Sequence, residues 1–168
     1  MSTGHRRIPD SALSKAHIDE AISTLLKHVE IDHHHWVAYL GGYSKDWENH
    51  PEVYFDARFP DSLKVGGKTM QPFRYILIHE AVEKSLIDEL GLSYDVSHDF
   101  ATAAERSAVE ADGFNWALYT AALRPYFGMA TKKPDDLEAP SDIDLTPYIQ
   151  DHSADLPKIE ATEDRIPS

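Results

Sequence analysis

The segment from Tyr75 to Ile87 constrains the fold most, because it places ionisable residues inside an apolar stretch with helical spacing. Positions four apart share one face of a helix, so His79 and Glu83 should lie one above the other, with Glu80 to the side. The same stripe continues to Leu86 and Leu90, residues typical of a core. Buried ionisable groups are costly unless they are paired or bind an ion. We therefore expect the functional site on this helix.

Length and composition predict a single globular domain. A chain of 168 residues with 42% apolar residues is long enough to bury a core of its own. The formal net charge of −13 disfavours nucleic acid and anionic membranes as partners, because neutralising phosphates requires a surplus of Lys and Arg. The absence of cysteine excludes disulfides and cysteine-type zinc sites. No apolar run reaches transmembrane length and residues 1–10 lack the apolar region of a signal peptide, so we expect a cytoplasmic protein.

The N-terminal part of the chain predicts one helix. Residues 1–10 are expected to be flexible, and an apolar stripe of helical period predicts a helix from residue 10 or 11 to about residue 32. The triplet His33-His34-His35 follows it. We interpret the triplet as a polar helix end or loop, with the alternative that one of its imidazoles binds a metal.

A small antiparallel sheet is expected between residues 36 and 65. The segment Trp36–Leu40 predicts a strand, and β-branched and aromatic residues make Val53–Phe59 the clearest strand of the sequence. The segment Leu63–Val65 predicts a short return strand, with a turn at Gly66-Gly67.

Two further helical segments are expected after the sheet. Pro72 suits the first turn of the helix that carries the motif, and Gly91 suits its C-terminal cap. Ser93 is a suitable N-cap for the next helix, which should continue, with a break near Gly113, until Pro125 ends it. The short connection at Gly91 predicts that the two helices pack as near-antiparallel neighbours.

Residues 131–168 form an acidic, proline-rich tail. They contain five of the ten prolines and ten acidic against four basic residues. Such a segment buries little apolar surface, so we expect it to be extended or disordered, although short apolar clusters that include Ile143 and Leu145 could dock on the domain. The tail could also recruit a partner. The predicted fold is therefore α+β, with a single domain over residues 11–130: an N-terminal helix, a small sheet, a packed helical hairpin and an acidic tail.

The helical hairpin should bring potential metal ligands together. Glu105 lies about as far after the connection as His79 and Glu83 lie before it, so regular pairing makes these residues level. His98 lies nearer the connection and reaches them if the helices tilt. Two imidazoles with one or two carboxylates suit Zn²⁺ or another divalent ion. The predicted metal-binding residues are His79, Glu83, His98 and Glu105, of which Glu105 serves as a fourth ligand or as an orienting residue.

The pentapeptide His79-Glu80-Ala81-Val82-Glu83 resembles the zincin metallopeptidase motif His-Glu-x-x-His, with Glu in place of the second His. In zincins the motif lies on a helix, the Glu after the first His is the general base, and a third ligand comes from downstream, in the gluzincin branch as a Glu on a following helix. The resemblance covers about residues 53–110. It implies that Glu80 activates a metal-bound water and that the protein is a metal-dependent hydrolase with a peptide or protein substrate. By analogy, His98 or Glu105 takes the place of the third ligand.

The chain also resembles small uncharacterised proteins of bacteria and phages in which a His-Glu-x-x-Glu helix follows an Asp-x-Arg-x-Pro strand. The segment Asp56–Pro60 stands in that place here, and this resemblance implies no activity. Asp56 and Arg58 share one strand face, where they either pair or, as we expect, face solvent.

A second interpretation belongs to a different functional class. In it the chain is a non-catalytic accessory or interaction protein, and the same residues form a structural metal site or a His–carboxylate network. Two separate alternatives concern single residues: Glu80 pairs with Lys84 on the helix surface, and His98 is a helix N-terminal residue that faces solvent.

Overall fold

The computed structural model describes residues 23–145, together with Glu20 and Pro147. A helical turn at residues 23–26 precedes the regular elements. The strands are β1 (Glu30–His35), β2 (Gly41–Tyr43), β3 (Glu52–Asp56), β4 (Leu63–Val65) and β5 (Lys68–Met70), and the long helices are α1 (Phe73–Leu90), α2 (Tyr94–Ala111) and α3 (Trp116–Ala130). The predicted α+β fold is confirmed.

Strand β3 is the centre of a three-stranded sheet with the order β1-β3-β2. It pairs antiparallel with β2, so that Gly42 lies opposite Tyr54, and parallel with β1. The sheet is therefore mixed, because the chain inserts β3 between the two strands that precede it. Strands β4 and β5 form a separate hairpin that turns at the predicted glycines, Gly66 and Gly67, which both have positive φ.

The predicted boundary between the N-terminal helix and the sheet is wrong. Strand β1 begins at Glu30, the His33-His34-His35 triplet lies within it, and Trp36–Leu40 is a connection rather than a strand. Residues 1–19 of the predicted flexible terminus and helix lie outside the described residues. The sequence Glu30–His35 has weak strand propensity, but the exposed edge of β3 offers it a ladder of backbone hydrogen bonds, and tertiary context decides such a segment.

The expectation that Asp56 faces solvent is also wrong. Its side chain is 0% exposed and accepts hydrogen bonds from the backbone N–H of Val37 at 3.0 Å and of Arg58 at 3.0 Å. The Arg58 Nε lies 2.9 Å from the same carboxylate. Strand β3 ends at Asp56, and there the carboxylate binds the turn that follows the strand and the connection at Val37.

The helical hairpin has the predicted caps. Helix α1 follows Pro72 and ends at Gly91, whose φ of 63° is the left-handed conformation that favours glycine. The Ser93 side chain accepts a hydrogen bond from Val96 N and caps α2. Helix α3 does not end at Pro125 but continues to Ala130, because buried residues on both sides of the proline, including Leu123, hold the helix across the lost backbone hydrogen bond.

Helix α1 packs against α2 on one side and against the sheet on the other. The core between these layers is built largely from aromatic and branched side chains: Leu40, Tyr43, Val53, Phe55, Tyr75, Ile76, Leu77, Val109, Tyr119 and Leu123. Among the described residues, no helix combines the length and apolarity that a membrane span requires.

The described part of the acidic tail, residues 131–145, lies on the domain without regular secondary structure, as the extended alternative predicts. We call residues 138–145 the docked segment. Its backbone binds Trp36 N through Glu138 O at 2.9 Å, and Ile143 is only 9% exposed. The predictions for residue 146 and residues 148–168 lie outside the described residues.

Candidate metal centre

The two motif residues His79 and Glu83 lie on the buried face of α1, as their spacing predicts. His79 Nε2 is 3.3 Å from Glu83 Oε2. Both side chains point away from solvent into the space between α1 and α2, so the helix brings an imidazole and a carboxylate to one buried point.

Helix α2 supplies the third member of this group. His98 is buried, which contradicts the interpretation that it faces solvent, and its Nδ1 lies 2.9 Å from Glu83 Oε2. A single carboxylate oxygen of Glu83 therefore lies between imidazole nitrogens of His79 and His98. The rings of the two histidines are 4.9 Å apart.

Glu105 lies on the other side of the His79 ring. Its Oε1 accepts a hydrogen bond from His79 Nδ1 at 3.0 Å, and its Oε2 accepts one from the Tyr119 hydroxyl at 2.7 Å. Both oxygens are thus engaged away from Glu83. Glu105 was expected to be either a fourth metal ligand or a residue that orients a ligand, and these contacts fit the orienting role.

The sequence analysis missed two tyrosines that hold the carboxylates. Tyr43, at the end of β2, donates a hydrogen bond to Glu83 Oε1 at 2.9 Å, and Tyr119 does the same for Glu105. Each tyrosine is separated from its carboxylate by 14 or more residues. No local pattern in the sequence could have revealed these pairs.

A cleft opens beside the two histidines, between β2 and the three helices. Glu80 lines this cleft but does not join the hydrogen bonds of the histidines. Among the described residues its carboxylate has neither a hydrogen-bond partner nor an ion pair. The expected surface pair with Lys84 is not formed, because Lys84 is buried and binds Asp88 at 3.0 Å and Asp144 at 2.7 Å.

Backbone of the sheet approaches the Glu80 carboxylate closely. A Cβ at Gly41 would lie 2.8 Å from Glu80 Oε1 and 2.9 Å from the Ile76 side chain, so the position accommodates only glycine without movement. The preceding residue, Leu40, is not a glycine but has φ of 71°, a conformation that side chains disfavour. The backbone that faces Glu80 is therefore a strained turn into β2, with a glycine at the point of closest approach.

Burial and close charges shift the pKa values of the group in opposite directions. Burial lowers the pKa of His79, but the hydrogen bonds that its ring donates to Glu105 and Glu83 outweigh this effect and raise the pKa well above the ordinary value. Burial raises the pKa of Glu83, yet the two histidines lower it to about 2. Burial and then the negative charge of Glu83 raise the pKa of Glu80 to about 8, and the charge of His79 offsets part of this rise.

The donor atoms fit a divalent cation. One donor atom from each of His79, Glu83 and His98 lies within 4.8 Å of the others. Ligands about 2.0–2.1 Å from a tetrahedral metal lie about 3.3 Å from each other, close to the 3.3 and 2.9 Å that separate Glu83 Oε2 from the two imidazoles. The His98 atom at this distance is Nδ1. The other ring nitrogen, Nε2, is buried without a hydrogen-bond partner among the described residues. Because the two nitrogens of an imidazole point in different directions, Nε2 would not bind the ion that these distances describe.

The cleft above this group has an empty volume of about 630 Å³, including its part open to solvent. Its walls combine the metal-ligand candidates with aromatic and apolar residues from four elements and the connections between them, among them Tyr39, Ile76, Tyr94, Leu123 and Phe127. Largely apolar walls with a few convergent polar groups are typical of ligand-binding clefts.

A second cluster of potential ligands lies on the surface. Glu30, His50 and Glu52 place donor atoms near one another, with His50 Nε2 3.1 Å from Glu52. His50 and Glu30 are exposed, and exposed acidic clusters are common without an ion. The His33-His34-His35 triplet belongs to neither group found in the described part of the chain.

Comparisons of the chain with protein families, with curated proteins and with solved structures find no match. The functional argument therefore rests on the geometry of His79, Glu83 and His98 and on the carboxylate of Glu80 beside them.

Proposed function

We propose that the protein is a zinc-dependent hydrolase that cleaves peptide bonds. The observation that carries the proposal is the convergence of His79, Glu83 and His98 at one buried point of a cleft, with the unpaired carboxylate of Glu80 on the wall of the same cleft. This arrangement separates three ligand candidates from one residue that remains available for proton transfer.

His79, Glu83 and His98 would hold the ion, and Glu105 and Tyr43 would orient its ligands. When bound, zinc supplies Lewis acidity that lowers the pKa of a water and polarises a carbonyl group. Glu80 accepts a proton on its carboxylate and returns it to the leaving amine, as a general base and then a general acid. A cation beside Glu80 favours its ionised form, which opposes the effect of burial on its pKa.

Metal analysis of the purified protein, without a chelating affinity tag, tests the ion. We expect close to one zinc per chain, and a large loss of zinc in His98→Ala. The matched control is His34→Ala, because His34 is exposed on β1. If zinc is far below stoichiometric and a chelator leaves the melting temperature unchanged, the metal site is excluded.

The substitution Glu80→Gln tests the proton transfer. It should abolish hydrolysis of peptide substrates and leave the zinc content unchanged, because Glu80 is not among the ligands. Glu89→Gln on the exposed end of α1 is the control and should retain the parent rate. Equal rates for Glu80→Gln and the parent would exclude Glu80 as the base.

A structural His–carboxylate network in a non-catalytic protein is the second candidate. It is favoured by the fact that both oxygens of Glu83 and of Glu105 have partners within the protein. In that case chelation changes nothing, and replacing His79 or Glu105 lowers stability whether zinc is present or not.

A further inference from the structure

One edge of the sheet carries part of the chain itself. Strand β2 is the last in the order β1-β3-β2, so one of its sides has no regular strand as a neighbour. On that side Tyr43 O accepts a hydrogen bond from Asp144 N at 2.9 Å, and Lys45 N donates one to Asp142 O at 2.7 Å. The pairing is antiparallel and centres on Ser44 and Ile143. The docked segment thus adds backbone to a sheet edge, which is how many domains bind extended peptides.

This edge leads directly into the cleft. Asp144 of the docked segment and Pro147 beyond it line the same cleft as His79 and Glu80. Tyr43, whose backbone binds the segment, donates its hydroxyl proton to Glu83. A peptide that continues along this edge therefore passes the candidate metal ligands.

Two side chains anchor the docked segment. Ile143 is buried against Val37 and Tyr54 in a small apolar cluster of its own. Asp144 Oδ2 lies 2.7 Å from Nζ of Lys84, which is buried and follows the ligand Glu83 on α1. The edge therefore offers an apolar pocket and then a buried cation to two successive residues of an extended chain.

We propose that the docked segment occupies the groove of the peptide substrate, and that Lys84 selects an acidic residue that follows an apolar one. That the bound peptide is a substrate rests on the proposed function. Binding of a peptide in this groove can be tested without hydrolysis. The segment competes with any incoming peptide because it is tethered to the domain, which gives it a high effective concentration. Release of the segment would then open the cleft.

A fluorescent synthetic peptide with the sequence of residues 141–150 is the probe, and its affinity is measured for the full chain with and without zinc. The parent should bind it weakly, because its own segment holds the groove. The chain with Asp144→Asn should bind it about tenfold more tightly, since the resident segment loses its ion pair with Lys84 while the probe keeps it. The matched control is Asp142→Asn, because no bond of the Asp142 side chain to the domain is found among the described residues. The affinity of this variant for the probe should lie within twofold of that of the parent.

The selectivity is tested with a second probe in which Asn replaces the residue corresponding to Asp144. It should bind the Asp144→Asn chain about tenfold more weakly than the natural peptide does. Equal affinities of the two probes would exclude Lys84 as a specificity residue. If neither probe binds any chain, or if all chains bind the natural probe equally, the groove itself is excluded.

A nicked chain covers the case in which Asp144→Asn does not fold. An engineered protease site at the exposed residues Asp135 and Asp136 allows the folded parent to be cut before the docked segment. Cutting removes the tether and should increase probe affinity, whereas unchanged affinity would overturn the inference. Probe binding without hydrolysis would contradict only the proposed function, and hydrolysis that is indifferent to Asp144→Asn would contradict only this inference.

Discussion

His79 donates a hydrogen bond from Nδ1 to Oε1 of Glu105 at 3.0 Å, and this contact determines how the imidazole faces the rest of the site. An ionised carboxylate only accepts hydrogen bonds, so Nδ1 carries a proton and Nε2 is directed to Glu83, 3.3 Å away. The same atoms can share a proton or a metal ion. In the proposed metal site, Glu105 would therefore act on the ion through the orientation and basicity of His79.

Removing the hydroxyl that holds Glu105 should weaken zinc binding without touching a ligand. In Tyr119→Phe, Glu105 Oε2 loses its 2.7 Å hydrogen bond and the orientation of His79 loosens. We expect zinc affinity to fall by about tenfold, the lower end of the range for such supporting contacts. Competition with a chromophoric chelator measures it. The control is Tyr126→Phe on the same helix, and an unchanged affinity in Tyr119→Phe would contradict the orienting role.

The metal-free protein should be most stable near pH 5. The raised pKa of His79 contributes stability that is complete below its ordinary value of 6.5 and is lost as pH rises through the folded value. Glu80 acts in the same direction, because the folded state keeps its proton up to about pH 8 while the unfolded chain loses it near 4.5. Glu83, with a pKa of about 2, contributes stability above 4.5 that is lost in acid.

Melting temperatures measured in chelator at pH 3, 5 and 8 test this profile. At pH 8 the Glu80→Gln variant should exceed the parent by about 1 kcal/mol or more, roughly 2–4 °C for a chain of this size, because the amide carries no charge to bury. At pH 3 the difference should vanish, because Glu80 is then protonated in the folded and in the unfolded chain. A melting temperature of the metal-free parent that rises steadily from pH 5 to pH 8 would contradict the assigned shifts.

Gly41→Ala should reduce hydrolysis while zinc binding stays within about twofold of the parent. The added methyl group would lie 2.8 Å from Glu80 Oε1, so the carboxylate has to move away from its place in the cleft. A displacement of about 1 Å can lower a rate by about 100-fold. Gly128→Ala is the control, because a Cβ there meets no atom within 4 Å. Parent-like hydrolysis in Gly41→Ala would show that the position of Glu80 does not matter.

Asp56→Ala should destabilise the fold by about 2–4 kcal/mol. The substitution leaves the backbone N–H of Val37 without its acceptor and removes the partner of Arg58. Urea denaturation measures the loss. Asp61→Ala, whose side chain is 89% exposed, should change stability by less than about 0.5 kcal/mol. If both substitutions lower the free energy of unfolding by similar amounts, the hydrogen bonds of the buried Asp56 carboxylate do not stabilise the fold.

Local signals predicted the motif helix and its connection to α2 well. Pro72, Gly91 and Ser93 mark ends of these helices through backbone conformation and capping, which depend only on neighbouring residues. The same kind of reasoning was wrong for Pro125 and for β1. There the burial of α3 and the free edge of β3 outweighed the local preference.

The sequence by itself determined that His79 and Glu83 share a face, because a four-residue spacing and helical geometry are sufficient for that. It also identified His98 and Glu105 as candidates on the partner helix. Only the tertiary structure decided that His98 contacts Glu83 while Glu105 orients His79, and that Tyr43, Tyr119 and the docked segment complete the site. The reason is physical: side chains on different elements meet according to helix tilt and sheet order, which depend on the packing of the whole core.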